Sequence, residues 1–487
     1  MIRKLHVASE SVVTVSTQSD QALKRSPLTL AVVAAAFGLP MLAQSANAGG
    51  FIEDSKATLS ARNFWINVDN RDVDRAGVKE WGQGFVLKYQ SGFTEGPVGF
   101  GLDAIGMWGF RLDGGGTTNK SFDKESRMPG ASGVFPKDGD GPADNFGNVG
   151  VTGKMRISKS VFEYGTLMPK LPVIQGNDSR LLPQTFEGGQ FTINDIDKVT
   201  LVGGRIEHTK TRASSDQVGL ATGGSGSVVI NGKRKPIDTN EFYYAGADYK
   251  VTKDLMLQYY YGNMQDFYKQ HFLGLVHNWA LPAGTLKTDL RYFRSTSDGM
   301  NKTASGRAAG YVSNGYYGNG VTRGKVDNNA WSGLFTYSLK GHEISAGYQQ
   351  LTGSSDFPFI NTGDGSTSYL ITNMQIGKFQ HAGERSWLAK YGYDFANVGV
   401  PGLKASIAYV YGDNVDTRFG DQTQHETNVR LDYVIQSGPL KNLGFTWQGA
   451  QLRSDSGIKG VGRTGAGAIE RNQDENRLIV NYSIPLM

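Results

Sequence analysis

The chain has 487 residues, a formal charge of +5 and no cysteine, which excludes disulfide stapling and any thiolate metal site. The charge is too small for the concentrated basic patch of a nucleic-acid binder. Beyond residue 48 no apolar run approaches the roughly 18–20 residues of a spanning helix, so an inner-membrane helical protein is excluded as well.

In chain order, Arg3, Lys4, Lys24 and Arg25 precede an apolar run of 15 positions, Leu28 to Leu42, interrupted by Thr29, Gly38 and Pro40. The run closes on Ala46-Asn47-Ala48, the small-x-small pattern of a secretory cleavage site. Residues 1–48 are therefore expected to be a signal peptide, with an uncleaved anchor as the alternative. Removing them takes away four basic and two acidic side chains, leaving a charge of +3 (5 − 4 + 2). Residues 49–487 contain no proline-rich or charge-rich linker and are expected to form one domain.

That domain reads as a long series of half-apolar strands. Strands are expected near 57–66, 81–93, 98–110, 149–158, 199–208, 242–250, 254–262, 271–279, 285–293, 330–339, 342–350, 370–379, 385–395, 402–411, 426–436, 442–451 and 476–486. Alternation is clear in several of them. Val429, Leu431 and Tyr433 oppose Asn428, Arg430 and Asp432; Leu403, Ala405, Ile407, Tyr409 and Tyr411 oppose Lys404, Ser406, Ala408 and Val410. These are 17 strands, whereas bacterial single-chain barrels have an even number, so an eighteenth is expected in 160–168 or 188–194. The fold class is all-β: a transmembrane antiparallel β-barrel of 18 strands, closed because lipid offers no partner to an open edge. Seven tryptophans, 22 tyrosines and 24 phenylalanines suit interfacial aromatic belts. The expected address is the cell outer membrane, and the expected job is to pass something small.

Segments 111–148, 209–240, 294–329 and 452–475 are long and polar and read as extracellular loops. Segment 159–198 differs, mixing Leu, Ile and Phe with Pro169, Pro172, Pro183 and the run Gly176 to Pro183. It either folds into the barrel and narrows it or packs as an ordinary loop.

Charge on the face opposite the lipid-facing side chains must line the interior, because a mid-membrane Arg or Lys costs roughly 2–4 kcal/mol. This gives Lys88, Lys154, Arg156, Arg205, Lys287, Arg291, Lys390, Lys404 and Arg430 as interior cations, with Asp248, Asp289, Asp394 and Asp432 as acidic counterparts. They form either a solvated wall or a track that hands a carboxylate between weak sites. Arg180 is the first candidate for a constriction, since a guanidinium grips a carboxylate through two parallel hydrogen bonds. Asp178, beside Ser179, would orient Arg180 or take the amino group of a zwitterion. The scattered histidines, the absence of HExxH and GxSxG, and a calcium-like run at 138–149 with Ala143 and Val149 at its glycine and glutamate positions leave no enzyme constellation. No cofactor or metal is expected.

The motifs Gly50–Ser55, Trp81–Phe85, Gln90–Thr94, Tyr164–Pro169, Asn177–Pro183, Tyr259–Gly262, Asp266–His271, Glu384–Trp387 and Tyr391–Phe395 together resemble the OprD family of substrate-specific outer-membrane channels. The resemblance implies a monomeric 18-stranded barrel narrowed by inward-folded loops, with a ladder of basic residues and passive uptake of small carboxylates. It places Arg180 in the constriction loop and Arg385, Lys390 and Arg430 in strands that contribute basic wall residues, although Arg385 has the opposite parity from Lys390. One branch of the family prefers basic amino acids and another aromatic or cyclic carboxylates such as benzoate-like acids. The excess of interior cations favours the second. A less selective porin and a non-transporting adhesin are the alternatives. The expected partners are small carboxylates, outer-membrane lipid and lipopolysaccharide, and the barrel-assembly machinery, with no nucleic acid.

Overall fold

The computed structural model describes residues 50–71, 77–114, 133–138, 141–230, 233–314, 322–362, 367–416, 420–455 and 472–487. The expected signal peptide lies outside the described residues. The barrel strands are β1 (Lys56–Asn70), β2 (Val78–Gln90), β3 (Val98–Asp113), β4 (Asn145–Ile157), β5 (Ser160–Leu167), β6 (Thr185–Ile196), β7 (Val199–Lys210), β8 (Phe242–Lys250) and β9 (Leu255–Met264). They continue as β10 (Tyr268–Ala280), β11 (Thr285–Ser297), β12 (Asp327–Leu339), β13 (His342–Gly353), β14 (Arg385–Asp394), β15 (Leu403–Val415), β16 (Gln422–Val434), β17 (Gly444–Ser454) and β18 (Gln473–Pro485). A two-residue strand, Gln217–Val218, adds onto β7.

Each strand pairs antiparallel with the next, and β1 pairs with β18 from Thr58↔Pro485 to Asn70↔Gln473. The sheet of 18 strands is thereby closed and has no free edge in lipid. Sixteen of the expected strands are present. The expected strand at 370–379 is absent, because that stretch is part of an inward loop; both 160–167 and 185–196 are strands instead, flanking another inward loop. One end of the barrel carries tight turns. Those after β4, β6 and β12 span two residues and place Ser158, Lys198 and Lys340 at φ 54°, 61° and 45°, the left-handed conformation that twisted hairpins require. The other end carries the long connections.

Period-two alternation sorts the strands into two faces. Outside, Val149, Val151, Phe162, Phe191, Leu273, Leu290, Ile344, Ile407 and Leu431 are exposed, as are six of the seven tryptophans. Trp331, Tyr348, Trp387 and Tyr411 make one continuous aromatic row across β12–β15, with successive ring centroids 5.3, 5.2 and 6.2 Å apart. Large apolar rings on the outer surface suit a lipid-facing wall with interfacial aromatics. The buried apolar clusters lie on the inner face, where the wall meets the inward loops.

Neighbouring residues on β15 test the sidedness. Ile407→Arg, pointing outward, should cost about 2–4 kcal/mol in reversible unfolding from lipid vesicles, whereas Ser406→Arg, pointing into the lumen, should cost less than about 1 kcal/mol. Equal costs at the two positions would contradict the assignment of faces.

Candidate functional site: a lumen constricted by two loops

Two connections turn inward rather than out. Residues 168–184, between β5 and β6, form a small hairpin (Lys170–Leu171 with Ile174–Gln175) and then drive Leu181 and Leu182 into the wall. These leucines are 1% and 0% exposed and pack with Phe64, Ile66, Val68, Phe135 and Phe146. Val173 and Ile174 enter a second cluster with Phe186, Ile206, Phe242, Tyr260 and Phe272. The facing wall is cut away to admit them: a Cβ on Gly84 would lie 2.9 Å from the Leu181 carbonyl oxygen, and one on Gly82 2.8 Å from Leu181 Cδ2. Hydrogen bonds from Gly176 N–H to Pro169 O (3.1 Å) and from Gln184 N–H to Asn177 O (2.8 Å) close the loop on itself.

The tip of this loop presents the expected residues. Arg62 on β1 donates to Asp178 Oδ1 (2.7 Å) and Oδ2 (3.2 Å) and to the Arg180 carbonyl oxygen (2.7 Å). Asp178 is therefore the partner of Arg62, not the group that orients the Arg180 guanidinium. Arg212, buried, donates to Ser179 Oγ at 2.7 Å. Arg180 donates to the Ser179 carbonyl oxygen (3.0 Å), lies 3.8 Å from Glu475 on β18 and sits 6.0 Å from the Phe64 ring centroid.

Residues 354–384, between β13 and β14, are the second inward loop. Phe357, Ile360 and Leu370 join the cluster around Phe272, and Phe379 packs with Leu388, Val410 and Leu452. Its backbone is held by acids on the wall: Glu426 on β16, fully buried, accepts from Ile376 N–H (3.0 Å) and Gly377 N–H (2.6 Å). Gln375 donates to Glu475 Oε1 (3.2 Å), while Arg477 on β18 donates to the Gln375 carbonyl oxygen (3.1 Å) and to Glu475. The two loops thus meet at one place on β18. Arg62, Arg180, Arg212 and Arg477 converge there with two carboxylates, Asp178 and Glu475.

Below this eyelet, towards the turns, the other candidates line the inner wall. Lys88 projects from β2, exposed to the lumen. Lys154 reaches Asp103 (2.6 Å) and the Ser91 carbonyl oxygen (2.8 Å), and both Lys154 and Arg156 lie over the Phe93 ring, at 4.9 and 4.6 Å. Lys390 is 3.3 Å from Glu343, Lys404 is 3.0 Å from Asp394, and Arg430 makes a bidentate pair with Asp432 at 2.6 and 2.7 Å. Arg291 also faces inward but serves the second loop. It pairs with Asp289 (2.7 Å), donates to the Tyr369 carbonyl oxygen (2.8 Å) and stacks 4.0 Å from the Tyr369 ring centroid.

Two expected wall cations are corrected. Arg205 shares the outward face of β7 and β8 with Tyr243, 5.6 Å from that ring centroid and 3.6 and 3.5 Å from Glu207 and Glu241. Arg385 shares parity with Trp387 and pairs with Asp413 at 2.8 Å on the outer surface. At the loop-end rim the outer surface carries ion pairs, so charge there does not signal the lumen. Conversely Arg62, Arg477, Glu426 and Glu475 were not among the expected site residues. Arg477 was readable, because it opposes Leu478, Val480 and Tyr482. Arg62 was not, because Phe64 and Ile66 on its own face are apolar where the loop covers them.

A family model described as outer membrane porin, OprD family, matches residues 49–486. Porin-like protein GalP of Pseudomonas putida is 31% identical over 461 residues, covering 93% of this chain and 97% of that protein. Porin D of Pseudomonas aeruginosa is 30% identical over 493 residues, covering 96% and 99%. Among solved structures, that of Pseudomonas aeruginosa OccK8 (OprE) is 54% identical with a TM-score of 0.79, covering 90% of this chain and 100% of its own. The structure of Pseudomonas aeruginosa OpdK with vanillate is 31% identical with a TM-score of 0.73 and the same coverage.

Glu426→Ala removes the acceptor for two loop amides. Hydrogen exchange at Ile376 and Gly377 should rise by about tenfold or more while the folded barrel keeps its heat-modifiable gel mobility. A second test concerns Glu384, which ends the loop just before β14 and is fully buried. Burial drives its carboxyl up to about 7, against the opposing effects of His381 and of hydrogen bonds from Gln424 and the His381 N–H. A pKa raised by folding stabilises the packed state at low pH and loses that contribution as pH rises through the folded value. Bilayer current fluctuations should therefore grow from pH 5.5 to pH 8.5, and Glu384→Gln should remain quiet at both.

Proposed function

The chain belongs to the OprD family of outer membrane porins, and from that premise we propose that its pore takes up small carboxylates, aromatic and cyclic ones foremost. As an outer-membrane channel it is a conduit and not a catalyst. Its barrel sits among lipid and lipopolysaccharide and depends on barrel-assembly machinery for insertion. The observation that carries the reading is the convergence of Arg62, Arg180, Arg212 and Arg477 where both inward loops meet, with Asp178 and Glu475 paired to them among the described residues.

The wall chemistry supports passage rather than capture. Each guanidinium has five donors, and the Arg430 pair with Asp432 uses two of them, leaving others for a solute. Lys390 and Lys404 are half-neutralised by Glu343 and Asp394 and remain well hydrated. A site already paired with a carboxylate binds an incoming one weakly, as a conducting track requires. OpdK, a relative of the same fold, has been crystallised with vanillate, an aromatic carboxylate.

Neutralising Arg180 and Arg430 together should reduce benzoate permeation in liposome swelling or bilayer assays by about tenfold. Permeation of an uncharged sugar of similar size should change by less than about twofold. Equal losses for both solutes would overturn the carboxylate track and favour a non-selective pore.

A further inference from the structure

Away from the eyelet, a cavity of about 350 Å³ opens in the inner wall between β2 and β6, beneath the start of the first inward loop. It is large enough for a small aromatic solute. Its polar lining includes Lys88, Gln90, Asp103, Thr152, Glu163 and Gln190, and Ile105, Leu167, Met168 and Pro169 give it apolar walls.

Most of these polar groups already have partners. Asp103 is held by Lys154 (2.6 Å), Thr152 donates to the Thr166 carbonyl oxygen (2.6 Å), and Gln190 accepts from the Tyr244 hydroxyl (3.0 Å). Lys154 lies opposite Glu163 in the β4–β5 register, yet its ammonium is committed to Asp103 and the Ser91 carbonyl oxygen. The side chains of Glu163, half-buried, and Lys88 make no hydrogen bond or ion pair among the described residues, and Lys154 acts on Glu163 only through its nearby charge. A half-buried carboxylate whose nearest cation is shared with another acid is costly, and a cation that reaches it recovers part of that cost. One cavity therefore presents an uncommitted anion, an uncommitted cation and apolar walls.

We propose that this side cavity binds carboxylates that also bear an ammonium group, Glu163 taking the ammonium and Lys88 the carboxylate, with the hydrocarbon part against Ile105, Leu167 and Met168. The inference rests on the reading of the pore as a carboxylate channel and extends it to amine-substituted members of that class. Bound there, such a solute would pause beside the permeation path, whereas a plain aromatic acid would pass it.

The test uses the full barrel in planar bilayers, with 4-(aminomethyl)benzoate, benzoate and benzylamine as probes. 4-(Aminomethyl)benzoate should block the current with dwell times about tenfold longer than those of either single-ended probe. Glu163→Gln should abolish that excess, so that 4-(aminomethyl)benzoate dwells no longer than benzoate in the same variant. Thr152→Leu, which fills the cavity without touching either charge, should also abolish it and serves if the first variant inserts poorly. An excess that survives both substitutions, or benzylamine dwelling as long as the two-ended probe, overturns the proposal. If benzoate itself shows no preference over a neutral sugar in the unaltered channel, the carboxylate reading fails first; if benzoate is preferred and the amine adds nothing, only the side cavity fails.

Discussion

A peptide group in hydrocarbon has no water to turn to, so each N–H and C=O in the wall must find its partner in the neighbouring strand. That requirement joins β1 to β18 and closes the sheet. Closure separates two environments across one layer of backbone, and the side chains then sort by solvent. Val151, Ile407 and Leu431 meet lipid, while Thr152, Ser406 and Arg430 meet the lumen on alternate positions of the same strands. A charged interior is tolerable only because this wall is complete.

The lumen is then subdivided by chain that has its own burial problem. The segments at 168–184 and 354–384 carry leucines, isoleucines and phenylalanines that find cover only inside the barrel. Their backbone amides need acceptors as well, and Glu426 supplies them for Ile376 and Gly377. Buried carboxylates on the wall attract the arginines that complete the eyelet, Arg477 on Glu475 and Arg180 nearby. The positive constriction and the anchoring of the loops are consequences of one arrangement: acids hold the loops, and cations gather around the acids.

The same arrangement explains where the sequence was legible. Strand type and sidedness could be read wherever the inner wall is wet, as in Asn428, Arg430 and Asp432 against Val429, Leu431 and Tyr433. They could not be read where a loop covers the wall. Val202 and Ile206 face inward on β7, and the charges there, Arg205 and Glu207, stand outside at the rim. Residues 370–379 mimic a strand because a loop pressed against the wall also sets buried side chains, Leu370, Thr372 and Phe379, among half-buried ones. Arg180 could be singled out from its compact, proline-bounded run. Arg62 could not, since its role depends on a tip residue 116 positions away.

Two of the four guanidiniums at the eyelet come from opposite ends of the barrel sequence, Arg62 from the first strand and Arg477 from the last, and Arg62 hydrogen-bonds Asn481 across a separation of 419 residues. A nascent chain therefore has no filter until its final strand is zipped to its first. Sealing the envelope and acquiring discrimination are a single event in the life of this molecule, and a half-inserted chain has neither.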